Sequence, residues 1–266
     1  MIGAVIGDIA GSRFEFENYR AKDFELMNRD CFFTDDTVMS LAICRALLKT
    51  KPDRSDLSQL AISSMQEIGR HYPTCGYGER FYHWMFSDDP RPYNSFGNGS
   101  AMRVSGCGYV AESIEDARKL AVAVTEVTHN HPEGIKGAEA TAVAVYLART
   151  GADMTTIREH IEANYYKIDF TLDEIRPTNA FNETCQDTVP QALAAFFEST
   201  SFEDAVRNAV SVGGDSDTLA AITCGIAEAY FGVPSALRAE AETFLDERTL
   251  GLLREFEARY PGKQAD

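Results

Sequence analysis

The chain has 266 residues, 44% of them hydrophobic, enough to bury a substantial core in one large domain or two small ones. Lys and Arg number 25 against 41 Asp and Glu, and the net charge of −16 argues against nonspecific nucleic-acid binding and against docking on an anionic membrane. No Pro/Gly/Ser-rich linker or break in composition appears, so a single domain over residues 1–266 is expected.

The opening run, Met1-Ile2-Gly3-Ala4-Val5-Ile6-Gly7, is apolar but meets Asp8 too soon for a signal peptide, and no later run is long enough to cross a bilayer. Six cysteines without a CxxC pair, most beside apolar residues, fit buried free thiols in a reducing compartment. Together these features predict a soluble, cytoplasmic protein. Residues 7–35 read as loop. From Asp36 to Lys49 the spacing predicts a helix, with Val38, Leu41 and Leu48 on one face and Met39, Ile43, Ala46 and Leu47 on an adjoining one. Residues 71–106 again read as loop. Helices follow at 115–127 and 137–149, the second apolar or small almost all round, as in a central helix packed on several sides. Ile168, Phe170 and Leu172 alternate with polar residues, but Pro177 follows, so a lone short strand or extended loop is expected there. A last helix spans 217–230, with Leu219, Ile222, Ile226 and Tyr230 along its most buried line. Ser113-x-x-Asp116, Thr156-x-x-Glu159 and Ser201-x-x-Asp204 resemble capping boxes. The fold class is therefore all-α: a compact multi-helix domain whose loops (roughly 7–35, 71–106, 128–136 and 211–218) hold the unusual chemistry.

Two acidic clusters stand out, Thr34-Asp35-Asp36-Thr37 and Gly213-Gly214-Asp215-Ser216-Asp217-Thr218, each just before a predicted helix. Acidic residues cap helix starts, which explains one carboxylate better than two flanked by threonines. Carboxylates and hydroxyls are hard oxygen ligands that favour Mg²⁺, Mn²⁺ or Ca²⁺ over zinc. Brought together, the four carboxylates would repel unless cations lay between them, so a metal site, binuclear on this count, is expected. The Asp-x-Asp-x-Thr pattern at 215 also occurs in haloacid-dehalogenase-type phosphatases. Those need a buried strand before it, and residues 208–214 look instead like a helix end and a glycine turn.

Glu15 and Glu17 would share one side of an extended segment, where solvation competes with an acid/base role beside bound metals. Gly76-Tyr77-Gly78 and Gly97-Asn98-Gly99-Ser100-Ala101-Met102-Arg103 are two glycine-rich loops that are expected to expose consecutive N–H groups to a phosphate, or to be ordinary turns. In His129-Asn130-His131-Pro132, a substrate-contacting or loop-stabilising histidine is favoured over a metal pair, with His129 the better candidate.

In order, Gly7-Asp8-x-x-Gly11-Ser12-x-x-Glu15, the 34–37 cluster, the 97–103 loop, Thr128-His129 and the 213–218 cluster resemble the ADP-ribosylglycohydrolase family. That family includes the dinitrogenase-reductase-activating hydrolases and the vertebrate ADP-ribosyl-acceptor hydrolases. The similarity runs from Gly3 to about Gly232 and implies an orthogonal helical bundle. It implies that Thr34, Asp35, Asp36, Asp215, Asp217 and Thr218 coordinate two Mg²⁺ or Mn²⁺ ions. Glu15 matches the catalytic glutamate of members acting on serine-linked ADP-ribose, with Asp8, Glu17 and metal-bound Asp36 as alternatives. Gly76, Tyr77, Gly78, Asn98, Gly99, Ser100 and Met102 would hold the pyrophosphate and distal ribose, and His129 matches a ligand-contacting histidine. The implied activity is hydrolysis that releases ADP-ribose from protein side chains or small ADP-ribosyl compounds; a monomer is expected by default, not from the resemblance. A catalytically silent ADP-ribose-binding or structural protein is the alternative. The linkage stays open among arginine, serine, O-acetyl, phosphate ester and modified nucleic acid.

Overall fold

In the computed structural model, which describes residues 1–265, the chain is a succession of helices with no strand among the described residues. The first half contains α1 (Ile2–Ser12), α2 (Asp35–Lys49), α3 (Leu57–Gly69), α4 (Glu79–Phe86), α5 (Gly99–Met102), α6 (Ser105–Val110) and α7 (Ile114–Thr125). The second contains α8 (Pro132–Arg149), α9 (Met154–Asn164), α10 (Leu172–Ile175), α11 (Cys185–Phe197), α12 (Phe202–Val210), α13 (Ser216–Phe231), α14 (Ser235–Glu242) and α15 (Glu247–Arg259). Two isolated bridges, Gly97 with Thr184 and Val233 with Gln264, tie loops together. The expected domain ends at Asp266, which lies outside the described residues. Among these helices none is long and apolar enough to cross a membrane.

The predicted helices over α2, α7, α8 and α13 are present, and the all-α class stands. α13 occupies the centre: Ser216 through Ala229 are buried, and it packs against α1, α8, α11 and α12. Five of the six cysteines are buried, Cys75 is half-buried, and all are free thiols.

Several local expectations change. Residues 7–12 belong to α1, every residue of which is buried. The stretch 71–106 contains α4, α5 and the start of α6. The alternating segment at 168–173 leads into α10, where Thr171 and Glu174 form a full capping box, because two reciprocal hydrogen bonds there outweigh a lone unpaired strand. Ser113 and Ser201 cap α7 and α12 as expected. Their acidic partners reach back one residue further than in a capping box, to Glu112 N and Thr200 N. Thr156 lies inside α9, whose cap is Asp153, accepting from Thr156 N at 2.7 Å. A carboxylate at that position stabilises the helix start by roughly 1 kcal/mol.

Candidate functional site

The two acidic clusters meet because α1 lies between them. Gly3, Gly7 and Gly11 repeat every fourth residue, one face of a helix, and that face rests on the backbone of α13. A Cβ added at Gly11 would sit 2.5 Å from Asp217 Cα and 2.5 Å from Ser216 O, so only glycine allows this approach. On its other side α1 presents Asp8, fully buried. Asp8 Oδ1 accepts from the Thr34 hydroxyl at 2.8 Å, and Oδ2 from Thr34 N at 2.9 Å and Thr37 N at 3.0 Å. Asp8 thereby holds the first turn of α2, and the glycine face holds the first turn of α13.

Between these two helix starts lies a dense group of carboxylates. Oxygens of Glu15, Asp215 and Asp217 lie within 4.8 Å of one another. The Thr218 hydroxyl donates to Asp36 Oδ2 at 3.1 Å, and Asn98 Nδ2 donates to Asp215 Oδ2 at 2.6 Å. Asp36 Oδ1 is buried with no hydrogen-bond partner among the described residues. Burial, reinforced by neighbouring carboxylates, pushes Asp35, Asp36 and Asp217 well above the usual carboxylate range. Asp215 is raised by burial and held back by hydrogen bonds, Asn98's among them. Burial lifts Asp8 to about 6 against the bonds from Thr37 and Thr34. Glu15 rises to about 7 through burial, then through Asp215, Glu183 and Asp8. An orphaned buried oxygen within an all-oxygen, uncompensated donor set fits a hard divalent cation.

These carboxylates, Asp8 apart, line a cavity of about 280 Å³. Arg80, Phe81, Tyr93, Arg103 and His129 also line it, and both glycine loops touch the acidic group: a Cβ at Gly76 would lie 3.3 Å from Asp35 Oδ1, and Asn98 bonds to Asp215. The loops differ. Gly76, Tyr77 and Gly78 leave their N–H groups without acceptors among the described residues, and Gly76 has φ +94°, a conformation suited to glycine. In the second loop the N–H groups are already used. Gly97 donates to Ser95 Oγ, Asn98 to Glu183 O, Ser100 to Gly97 O, and Ala101 and Met102 to Asn98 O. Of Gly97 to Met102, only Gly99 leaves its N–H without an acceptor among the described residues, so consecutive unpartnered amides occur in the first loop and not across this stretch.

Of the residues singled out in the sequence, Glu15, Asp35, Asp36, Gly76, Gly78, Asn98, Gly99, Met102, His129, Asp215, Asp217 and Thr218 line this cavity. Thr34, Tyr77 and Ser100 do not. The Thr34 hydroxyl lies between Asp8 and Asp36 N, Tyr77 stacks on Phe81, and the Ser100 hydroxyl meets Gly97 O and Cys185 Sγ. Asp8, tied up beneath α2, and Glu17, exposed, are also absent from the lining. Glu183, Arg80 and Tyr93 are lining residues that sequence reasoning missed. Glu183 sits in an irregular segment that no motif marks, and burial and Asp215 raise its carboxyl.

A family model described as ADP-ribosylglycohydrolase matches residues 1–264. The chain is 25% identical to ADP-ribosylhydrolase ARH3 of Xenopus tropicalis, covering 94% of this chain and 92% of that one. It is 29% identical to the ADP-ribosyl-[dinitrogen reductase] glycohydrolase of Rhodospirillum rubrum over 75% of this chain and 69% of the relative. A solved structure described as an ADP-ribosylglycohydrolase-related protein complex superimposes with a TM-score of 0.68 at 24% identity, covering 95% of each chain, and shares the fold.

Proposed function

The chain belongs to the ADP-ribosylglycohydrolase family, and from that premise we propose that it is a metal-dependent hydrolase cleaving the glycosidic bond at ribose C1″ to release ADP-ribose. Its substrates would be ADP-ribosylated protein side chains or small ADP-ribosyl compounds, and residues 1–266 would act as one monomeric domain. The observation that carries this reading is the carboxylate group itself. Asp36 keeps a buried oxygen without a partner, and Asp35, Asp36 and Asp217 are held far from their ordinary ionisation. A fold that assembles so much repulsion needs cations to relieve it.

Asp35, Asp36, Asp215, Asp217 and Thr218 would hold two divalent cations, Mg²⁺ or Mn²⁺, with Thr34 orienting Asp36 from beneath. Bound there, the cations supply Lewis acidity at the ribose hydroxyls. Cleavage at C1″ develops oxocarbenium character on the ribose, and Glu15 is the group that moves the proton. Burial raises its carboxyl, which suits a group that is protonated to give a proton to the leaving side chain and then ionised to take one from water. Asn98 fixes Asp215, and Asp8 fixes the helix start that carries Asp35 and Asp36. The open N–H groups of Gly76, Tyr77 and Gly78 suit the diphosphate, which they bind without adding basic side chains.

The test is a panel of arginine- and serine-ADP-ribosylated peptides and O-acetyl-ADP-ribose, assayed with Mg²⁺, Mn²⁺ and EDTA. Free ADP-ribose should appear with at least one substrate and one cation, and EDTA should stop it. Binding of ADP-ribose without release from any substrate would favour a silent binding protein, and release of inorganic phosphate would overturn the reading.

A further inference from the structure

Arg103 is a large, fully buried side chain whose charge no carboxylate answers. It is 1% exposed, lines the cavity, and forms no ion pair within 4.0 Å among the described residues. Its Nη2 donates to Thr128 Oγ1 at 2.6 Å and, more weakly, to Val124 O at 3.4 Å. Its Nε is buried without an acceptor. An unpaired cation so enclosed is costly, and in a protein of net charge −16 carboxylates were available to pair with it. The missing partner therefore points to an anion from outside the chain.

Thr128 and His129 continue the arrangement. Thr128 Oγ1 lies 2.7 Å from His129 Nδ1. The hydroxyl accepts from Arg103, so its one proton must go elsewhere, either to Nδ1 or to Thr125 O. Thr125 O is farther, at 3.3 Å, and already accepts Thr128 N and His129 N. The shorter contact favours Nδ1 as the acceptor, the arrangement that leaves the ring hydrogen on Nε2. That nitrogen has no partner among the described residues and faces the second glycine loop: a Cβ at Gly97 or Gly99 would lie 3.6 Å from it. Burial, with Arg103 and Arg80 nearby, holds His129 well below its usual range, so the ring is a neutral donor. From Gly97 to Met102 the chain offers only the Gly99 N–H, because the other amides of that stretch are committed within the chain.

We propose that Arg103 and Thr128 are positioning residues for the ligand cavity. Arg103, through Thr128, fixes His129 in the tautomer that aims Nε2–H at the Gly97–Gly99 loop, and its buried charge favours an anionic over a neutral ligand in the cavity. This rests on the reading that the ligand is an ADP-ribosyl group. The structural alternative, in which Arg103 merely ties α5 to the segment after α7, predicts no effect on the tautomer or on anion preference.

Long-range proton–nitrogen NMR on the ¹⁵N-histidine-labelled protein, together with calorimetric titration of ADP-ribose and of adenosine in the presence of Mg²⁺, separates the two. The wild type should show His129 with hydrogen on Nε2 and Nδ1 bare, and Thr128→Ser should keep that signature. Thr128→Val should lose it and weaken ADP-ribose binding about tenfold, with adenosine binding little changed. Arg103→Met should likewise weaken ADP-ribose about tenfold or more relative to adenosine. Should Arg103→Met fail to fold, the Thr128 pair decides. Hydrogen on Nδ1 in the wild type, or an unchanged ADP-ribose-to-adenosine ratio in folded variants, overturns the proposal. A wild type that binds no ADP-ribose at all would refute the functional reading instead, and the tautomer spectrum would still decide the relay.

Discussion

Gly11→Ala is the sharpest test of how α1 builds the site. The added methyl would meet Asp217 Cα at 2.5 Å, Ser216 O at 2.5 Å and Asp217 N at 2.6 Å, all backbone atoms that cannot swing away. Ordinary contact begins at 3.4 Å, so 3.4 − 2.5 = 0.9 Å of separation must open between α1 and the first turn of α13. Overpacking of this kind costs up to about 3 kcal/mol, and the better helix propensity of alanine returns about 1 kcal/mol, leaving a loss of about 2 kcal/mol. Melting should fall by roughly 4–8 °C. Turnover should fall further in proportion, because a displacement near 1 Å at an active site costs about a hundredfold, and Asp217 is the residue displaced.

Gly251→Ala is the matched control. Its Cβ meets nothing within 4 Å in α15, so the substitution should stabilise by up to about 1 kcal/mol and leave turnover alone. Thermal melts and initial rates with saturating Mg²⁺ or Mn²⁺ on both variants read out the comparison. Wild-type melting and wild-type turnover in Gly11→Ala would show that α1 does not set the position of Asp217.

Asp36→Asn should reduce turnover more than about a hundredfold, since even indirect supports of a metal site cost 10–100-fold. In EDTA the same variant should melt above the wild type, because it removes a buried carboxylate with an unpartnered oxygen; a lower melting point there would count against stored repulsion. Glu183→Gln removes a negative neighbour that helps raise Glu15, so the limb of the pH–rate profile belonging to Glu15 should move to lower pH, whereas Glu15→Gln should cut kcat by about 10²–10⁴. No displacement of that limb would disconnect the two residues. In the metal-free protein, Asp8 and Glu15 have folded values of about 6 and about 7, above their ordinary values of 3.8 and 4.5. A group raised on folding gives stability that is complete below the unfolded value and is lost as pH climbs from there to the folded one. Melting temperature in EDTA should therefore fall as pH rises from 3.8 to about 7 and level off above, and saturating divalent cation should flatten the decline. A flat profile in EDTA would contradict the assignment.

Much of this arrangement is legible in the chain, and the exceptions share a cause. α2, α7, α8 and α13 show as apolar periodicity or as long small-residue runs, and the acidic clusters show as dense hard ligands before helix starts. α1 escapes because it is buried on every side, which erases the polar face that periodicity detects, and its glycines imitate a turn. The signal was the spacing of Gly3, Gly7 and Gly11, the pattern of a helix whose backbone touches another. Glu183 could not be found by pattern at all. It reaches the cavity because its own carbonyl takes the Asn98 N–H, and because nearby Asn179 bonds to the 212–213 carbonyls while Arg20 bonds to Pro177 O and Asn179 O. The spent amides of the 97–103 loop are likewise invisible in sequence, since α5 and Glu183 consume them only after folding.

The charge of −16 and an anionic ligand are reconciled by what lines the cavity. Its carboxylates are ones that cations can neutralise, so the field there need not repel a phosphate group once they are loaded. Beside them stand unpartnered backbone N–H groups at Gly76–Gly78, a neutral histidine, the exposed Arg80 and the buried Arg103. Arg103 keeps its charge because burial lowers it only to about 10. Asp8 and the glycine face of α1 fix the acidic residues to two helix starts, while the Arg103–Thr128–His129 chain fixes the histidine to the segment after α7. The carboxylates that line the cavity are thus the ones that bound cations would neutralise, and that neutralisation is what admits an anion.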